Sequence, residues 1–492
     1  MCQQWVRNND AIEIISCSIK YIHYYINNID KYINNMYPIL ENILSAESNK
    51  MDDLLMTTND SPKSLRPFMT LWVGQVFSLL GSQLVQFALI WWLTQQTGSA
   101  TVLAIASIVG LVPQVVLGPF VGPLVDRWNR KWTMIVADAV VALSTLALVY
   151  LYWAGGVETW QIYVVLFVRA LGGAFHYPAM TASTSLMVPP EHLTRIQGLN
   201  QILNGGMSIA AAPLGALLLS LLPMEGILFI DIITAILAIG TILIVDVPQP
   251  QRGKEDSSAE DQPTYFDDLR AGFRYMINWR GLLLMAGMAM LVNMVLSPMN
   301  SFMPLLVTEH FDGTAWHLGL IEAGFGVGIL LGGLLLGVWG GFKKRTYTLL
   351  IGLAGIGVSV MLVGLAPASL FGLALVGMLA GGIMSSLTNG SMMAIFQAAV
   401  EPSMQGRVFT LIGSAATAMM PLGLIVAGPL ADIIGVQTLF VIGGLITIVA
   451  GVVGFFIPSV VNIDKDRQVH AAVTGTGIPD PVGPTLETVE GF

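Results

Sequence analysis

The sequence predicts an all-α membrane protein, with twelve transmembrane helices in two six-helix pseudo-symmetric halves. Three observations carry this. Of 492 residues, 54% are hydrophobic and only 11% charged, with mean hydropathy +0.71, whereas charged residues make up about a quarter of soluble domains. Twelve apolar stretches each reach the ~20 residues that a helix needs to cross a bilayer core. Lys and Arg then fall almost entirely in alternate connections between those stretches.

Residues 1–65 are rich in Asn, Ile, Tyr and Lys and lack the charged, apolar and small-residue regions of a signal peptide. They read as a cytoplasmic extension or, with equal weight, as sequence upstream of a start at Met51 or Met56. Spans follow at 69–93, 102–125, 132–154, 159–186, 196–221 and 226–246, giving a first half over 66–246. The polar break 247–280 carries Arg252, Lys254, Arg270, Arg274 and Arg280 among many carboxylates and reads as a cytoplasmic linker. Spans at 281–306, 317–340, 346–366, 370–398, 406–432 and 437–457 build the second half over 281–458. The polar remainder, 459–492, has the composition of a disordered cytoplasmic tail.

Basic residues are retained on the cytoplasmic side during insertion. Lys63 and Arg66 precede span one, Arg127, Arg130 and Lys131 fill loop two, Arg195 lies in loop four, and Lys343, Lys344 and Arg345 fill loop eight. Arg407 marks loop ten and Lys465 and Arg467 the tail, while the odd-numbered loops have none. Both termini are therefore expected in the cytoplasm, and the formal charge of -9 says less than this placement. The halves also echo each other: Glu191 to Arg195 before span five and Glu401 to Arg407 before span eleven lie about 210 residues apart, as parallel repeats would.

The chemistry of an enzyme is missing from the sequence. Cys2 and Cys17 both precede the first span, no His or carboxylate cluster has metal-ligand spacing, and no glycine-rich phosphate loop appears. No cofactor or nucleic-acid partner is expected, and any ATPase would have to be a separate chain. What the spans do contain is polar groups at helical spacing. Gln75, Ser82 and Gln86 share one face of span one, and Gln197, Gln201, Asn204 and Ser208 one face of span five. Asn293, Ser297 and Asn300 repeat the pattern in span seven, Ser386, Asn389 and Gln397 in span ten, and Thr410, Ser414 and Thr417 in span eleven.

Arg169 is the one Lys or Arg in the interior of a predicted span, Arg407 standing at the edge of its own. A charge there costs at least ~2.5 kcal/mol, so it faces a cavity and has a partner or a task. Asp231 and Glu322 lie within spans, where each could bind a proton or attract a cation. Asp138 and Asp432 lie closer to helix ends, where capping or a latch contact is expected. Gly324, Gly328 and Gly332 form a repeated small-residue stripe that lets helices approach closely. Met294, Met299, Met303, Met392 and Met393 read as packing first and as an adaptable pocket wall second.

One segment supports a resemblance. Gly118-Pro-Phe-Val-Gly122-Pro-Leu-Val-Asp126-Arg127-Trp-Asn129-Arg130-Lys131 resembles the loop-two signature of the major facilitator superfamily, with Asn129 where the family has Gly. Asn accepts a positive φ better than other non-glycine residues, so the turn is expected to survive. The resemblance implies that Gly122, Asp126, Arg127, Arg130 and Lys131 form a cytoplasmic latch between halves, that Arg169 matches a fourth-helix motif associated with proton coupling, and that spans 3, 6, 9 and 12 support a path lined by the others. Thr97-Gly-Ser-Ala, Phe175-His176-Tyr-Pro178-Ala179, His310-Phe-Asp-Gly313-Thr314 and Gly406-Arg407-Val-Phe-Thr, in this order, resemble the bacterial macrolide-efflux group.

That resemblance implies a multi-pass exporter in a bacterial cytoplasmic membrane, embedded in lipid, moving a small hydrophobic substrate outward by alternating access in exchange for protons. Gln75, Gln86, Arg169, Asn204, Asp231, Asn300, Glu322 and Asn389 are the expected substrate or proton path. A siderophore or other metabolite exporter would share every topological feature. A non-transporting sensor or scaffold would have no need of intramembrane charges facing a polar path.

Overall fold

The computed structural model describes residues 65–249 and 265–463. Fourteen helices occupy them. The first six are α1 (Arg66–Thr97), α2 (Ala100–Arg127), α3 (Arg130–Trp153), α4 (Thr159–Met187), α5 (Pro190–Leu221) and α6 (Met224–Ile244). A linker helix α7 (Tyr265–Asn278) leads into α8 (Arg280–Glu309), α9 (Ala315–Trp339), α10 (Arg345–Leu365), α11 (Phe371–Ala399), α12 (Pro402–Ile434), α13 (Val436–Phe455) and the single turn α14 (Pro458–Val461). Twelve of these are long and apolar enough to cross a membrane, matching the twelve expected spans to within a few residues. The expected extension at 1–65, except Leu65, and nearly all of the expected tail at 459–492 lie outside the described residues.

The outer surface fits a hydrocarbon solvent. Leu143, Ile236, Leu334, Val376 and Ile425 sit mid-helix with their side chains exposed, an arrangement that water would penalise and lipid does not. Exposed tryptophans mark both rims of this belt. Trp128, Trp132 and Trp339 lie at the end of the bundle that carries the basic loops, and Trp153, Trp160 and Trp316 at the other, as amphipathic rings do at membrane interfaces.

Two departures from the sequence expectations concern loops. Asn129 was expected to support a turn at positive φ. It instead has φ -72° and caps α3, its side-chain oxygen accepting a hydrogen bond from the Trp132 N–H. The Asn-for-Gly exchange thus satisfies an orphan helix donor. The linker, read only as a polar break, contains the amphipathic α7, whose Gly272 rests on Leu411 and Arg407 of α12 and whose Met276 is buried with Trp279 beside Phe396, Val408 and Ile412. The end of the linker is therefore built into the second half.

Buried apolar side chains divide into three cores. One, at the end away from the basic loops, is shared by both halves and joins Leu93, Leu103, Ile162 and Leu228 to Phe302, Leu306, Leu424 and Phe440. At the basic end each half keeps its own: Phe68, Met134 and Ile242 in the first, Met276, Leu350 and Phe396 in the second. Close contacts between halves repeat this division. Gly319 meets Ala212 and Pro213, Gly326 meets Ser208 and Ile209, and Gly428 meets Thr101 and Ala104.

Asp432 adds a polar clasp at the same end. Its carboxylate accepts hydrogen bonds from the N–H groups of Ala100 (2.7 Å) and Thr101 (3.1 Å) and from the Ser99 hydroxyl (3.1 Å), so α12 caps the first turn of α2 in the opposite half. A helix start favours an anion both through its orphan donors and its dipole.

Within the second half, α9 and α11 interlock through glycines. A Cβ at Gly328 would strike the Leu379 carbonyl, and one at Gly332 would lie 2.5 Å from the Ile383 carbonyl. Gly328→Leu is expected to cost more than the ~1–3 kcal/mol of ordinary overpacking, because backbone must move; thermal unfolding of purified protein should fall by several degrees or fail to yield a monodisperse peak. Asp432→Ala is expected to remove about 0.5–1 kcal/mol of capping from a half-solvated site, shifting the balance of conformers two- to fivefold. Distances between spin labels at the two rims measure that shift.

Candidate functional site

A cavity of about 820 Å³ opens between the halves, on the basic side of their shared core. It is walled mainly by α1, α2, α4 and α5, with Ser297, Asn300, Ser301 and Met420 from the second half; α3 and α6, expected only to support the path, add Asp138 and Asp231. Six of the eight expected path residues line it: Gln75, Gln86, Arg169, Asn204, Asp231 and Asn300. They converge because offsets of three, four, seven and eleven residues return to one helix face.

Asn389 lies elsewhere. With Asn300, Asn293, Ser385 and Thr388 it lines a second cavity, about 250 Å³, inside the second half, whose walls include Met285, Met299, Met303, Met378, Met392 and Met420. The two cavities share Ser297, Asn300 and Met420. Of the methionines singled out in the sequence, Met294 packs its backbone against Gly423 and Met393 is exposed; neither lines a cavity. Glu322 lines neither, and its carboxyl makes no hydrogen bond or ion pair with the described residues. Its position between Gly319 and Gly326 puts it on the α9 face that meets α5.

At the closed end of the larger cavity Arg169 and Asp231 form an ion pair of 2.5 Å, with side chains 8% and 2% exposed. Every neighbour contributes. Asp231 also accepts from the Ser82 hydroxyl (3.1 Å) and the Thr145 hydroxyl (3.0 Å), and Arg169 donates to the Ser82 carbonyl (3.0 Å) and to Thr145 Oγ1 (3.1 Å). The network ties α1, α3, α4 and α6 together. Gly81 allows α6 this close to α1, since a Cβ there would meet Thr234 and the Asp231 backbone.

Nearer the basic end is a second carboxylate, beside an imidazole. Asp138 Oδ1 lies 3.5 Å from His176 Nε2, and Gln75 donates to Asp138 Oδ2 at 3.5 Å. Asp138 was expected to cap a helix end or enter a latch; it stands two turns into α3 and faces the cavity. His176 entered the sequence reading only as part of a motif, and Thr145 not at all. Helical spacing could have found both: Thr145 is seven residues after Asp138, and His176 seven after Arg169.

The loop-two cations bind helix carbonyls of their own half. Arg130, buried, donates to Ala182 O (2.8 Å), and Lys131 to Leu243 O (3.0 Å) and Val245 O (2.9 Å), closing the ends of α4 and α6. Gly122 lies in α2 with open space beside it, and Arg127 is exposed at its last turn. The Asp126 side chain lies outside the described residues.

Two bundles sharing one apolar core, with a polar cavity between them at mid-membrane, define a solute transporter. The chain belongs to the Major Facilitator Superfamily, whose family model matches residues 71–341 and 282–482. It is a transporter and not an enzyme. Among relatives, it is 36% identical over 397 residues to Macrolide efflux protein A of Streptococcus pyogenes, covering 81% of this chain and 97% of that protein. It is 26% identical over 398 residues to Multidrug efflux pump Tap of Mycolicibacterium fortuitum, covering 78% and 94%. A solved structure of a bacterial homologue of the iron transporter ferroportin shares the fold, with TM-score 0.59, 17% identity and coverage of 79% and 98%.

Removing one partner of the buried ion pair leaves an uncompensated charge, at about 3–5 kcal/mol, whereas replacing both with apolar groups leaves none. Arg169→Met and Asp231→Leu are each expected to lower the melting temperature sharply, and the double variant to melt above either single one. Thermal unfolding of the three purified variants checks the order.

Proposed function

We propose that this chain exports a macrolide-like hydrophobic drug across the cytoplasmic membrane by alternating access, driven by proton antiport. The carrying observation is the placement of the 820 Å³ cavity on the basic side of the core that the halves share. Basic loops face the cytoplasm, so both termini are cytoplasmic and the cavity receives solute from inside, the loading state of an exporter. Its volume falls in the roughly 300–1,000 Å³ range of drug-sized sites. The similarity to Macrolide efflux protein A over 97% of its length supports the substrate class.

The wall chemistry fits such a solute. Gln75, Gln86, Asn204 and Asn300 offer hydrogen bonds without net charge, and the adjoining methionine-lined cavity, which Asn389 also faces, offers an adaptable apolar surface. Export requires the α5–α9 and α2–α12 contacts to part while contacts form at the basic end, where loop two then acts as the latch. Glu322, on the α5–α9 seam, is a group whose surroundings change in that step.

Erythromycin accumulation in a drug-sensitive bacterium expressing the full chain is expected to fall severalfold below the empty vector and to recover with a protonophore. Glu322→Gln is expected to raise accumulation toward the vector level at unchanged protein abundance. Accumulation equal to the vector, with protein present in the membrane, would exclude macrolides and favour export of a siderophore or other metabolite.

A further inference from the structure

The first half holds two carboxylates, each beside a basic side chain of α4, in two tiers. From Thr145 to Asp138 on α3 and from Arg169 to His176 on α4 is seven residues each, two turns or about 10 Å. Because α3 and α4 are consecutive and pack closely, both steps run toward the basic end. Gly172 sits between the tiers and sets the spacing. A Cβ there would come within 2.6 Å of Val141 Cγ2 and 3.3 Å of the Ala137 carbonyl.

The tiers differ in their chemistry. In the upper one the cation is a guanidinium, which keeps its charge at any physiological pH, and every contact around Asp231 is satisfied. The lower one pairs a carboxylate with an imidazole, the side chain whose charge changes between about pH 5 and 8. His176 Nε2 is buried and has no hydrogen-bond partner, although Asp138 Oδ1 lies only 3.5 Å away. With a neutral imidazole the pair carries one negative charge, and one further proton, on the ring or on the carboxyl, neutralises it. Both residues line the cavity, so the proton has a route to the basic side.

We propose that the Asp138–His176 pair is the loading site for the transported proton, and that the Arg169–Asp231 ion pair is the charge-balanced tier beside it. This rests on the reading that export is proton-driven. The groups facing Asp138 are His176 from α4, Gln75 from α1 and Asp231 from α6, whose charge Asp138 feels; Arg169, Tyr177 and Thr181 lie in the same cavity wall. A net positive neighbour in the upper tier would hold the proton off Asp138 permanently. The paired Asp231 cancels it, so the lower pair can both take up and release a proton. Gln75 holds the carboxylate toward the histidine.

Infrared difference spectra of purified full-length protein, between about pH 5.5 and 8.5, test proton loading without any substrate. A protonated-carboxyl band and imidazole bands that titrate together are expected, the carboxyl band being absent in Asp138→Asn and its midpoint displaced in His176→Gln. In proteoliposomes, Asp138→Asn is expected to keep gradient-free exchange of labelled for unlabelled erythromycin within about threefold, with its pH dependence flattened, while gradient-driven accumulation falls at least about tenfold. Asp138→Glu should restore part of that accumulation at a shifted pH optimum. Unchanged infrared titration in Asp138→Asn, or wild-type accumulation in both neutral variants, would overturn the assignment. So would equal loss of exchange and accumulation in well-folded protein, which would mark a substrate contact. Wild-type exchange that ignores the proton gradient would instead overturn the proton-driven reading on which this one depends.

Discussion

A guanidinium within hydrocarbon has to be compensated on every side, and that requirement organises the first half. Arg169 reaches α1 through the Ser82 carbonyl, α3 through Thr145 and α6 through Asp231. Four of six helices are thereby held in register by one side chain. The attraction within a desolvated pair is large, but so is the penalty of desolvation, and the two nearly cancel. What remains is specificity: no other rotation of α3, α4 or α6 about its axis satisfies the same donors and acceptors. Every cavity-facing residue of these helices inherits its direction from that choice.

The second half reaches the same architecture by other means. It has no comparable intramembrane ion pair among the described residues, and α9, α10, α11 and α13 instead meet at glycines. Gly328 and Gly382 face each other, as do Gly357 and Gly444. Dispersion contacts and close backbone approach replace charge compensation. Between α8, α10 and α11 lies a neutral, methionine-lined cavity. The pseudo-symmetric fold is thus chemically asymmetric, with one half carrying charge and the other adaptable apolar surface. The proposed exchange of a proton for a hydrophobic solute calls for both.

Much of this was legible along the chain, because the strongest signals are one-dimensional. Hydropathy marks the spans, alternate basic loops mark their direction, and helical offsets gather Gln75, Gln86 and Asn204 onto faces that do line the cavity. Pairing is not one-dimensional. That Arg169 needs a partner follows from its depth; that the partner is Asp231, 62 residues away on α6, depends on which helices are neighbours. Asp138 was assigned to a helix end because its distance from Arg130 is visible in sequence, whereas the imidazole opposite it is visible only after α3 and α4 pack. The amphipathic α7 was hidden for a different reason: apolar residues at 265, 269, 273 and 276 have helical spacing, but the surrounding charge masks them in a window suited to spans.

The clasp at Asp432 bears on how such a molecule moves. Two of its three donors are the orphan N–H groups of the first turn of α2, and the two halves carry related segments, Gly118 to Asp126 before loop two and Gly428 to Asp432 before the last span. A carboxylate that caps a helix of the opposite half holds the rims together by a contact that is directional, solvent-accessible and individually weak. The shared apolar core beside it is stronger but non-directional, so it tolerates small rotations and resists wide separation. In the proposed alternating access, rocking exchanges a few polar caps at the rims while each half keeps its own interior, and the ion pair at Arg169 is kept because all of its partners lie in one half.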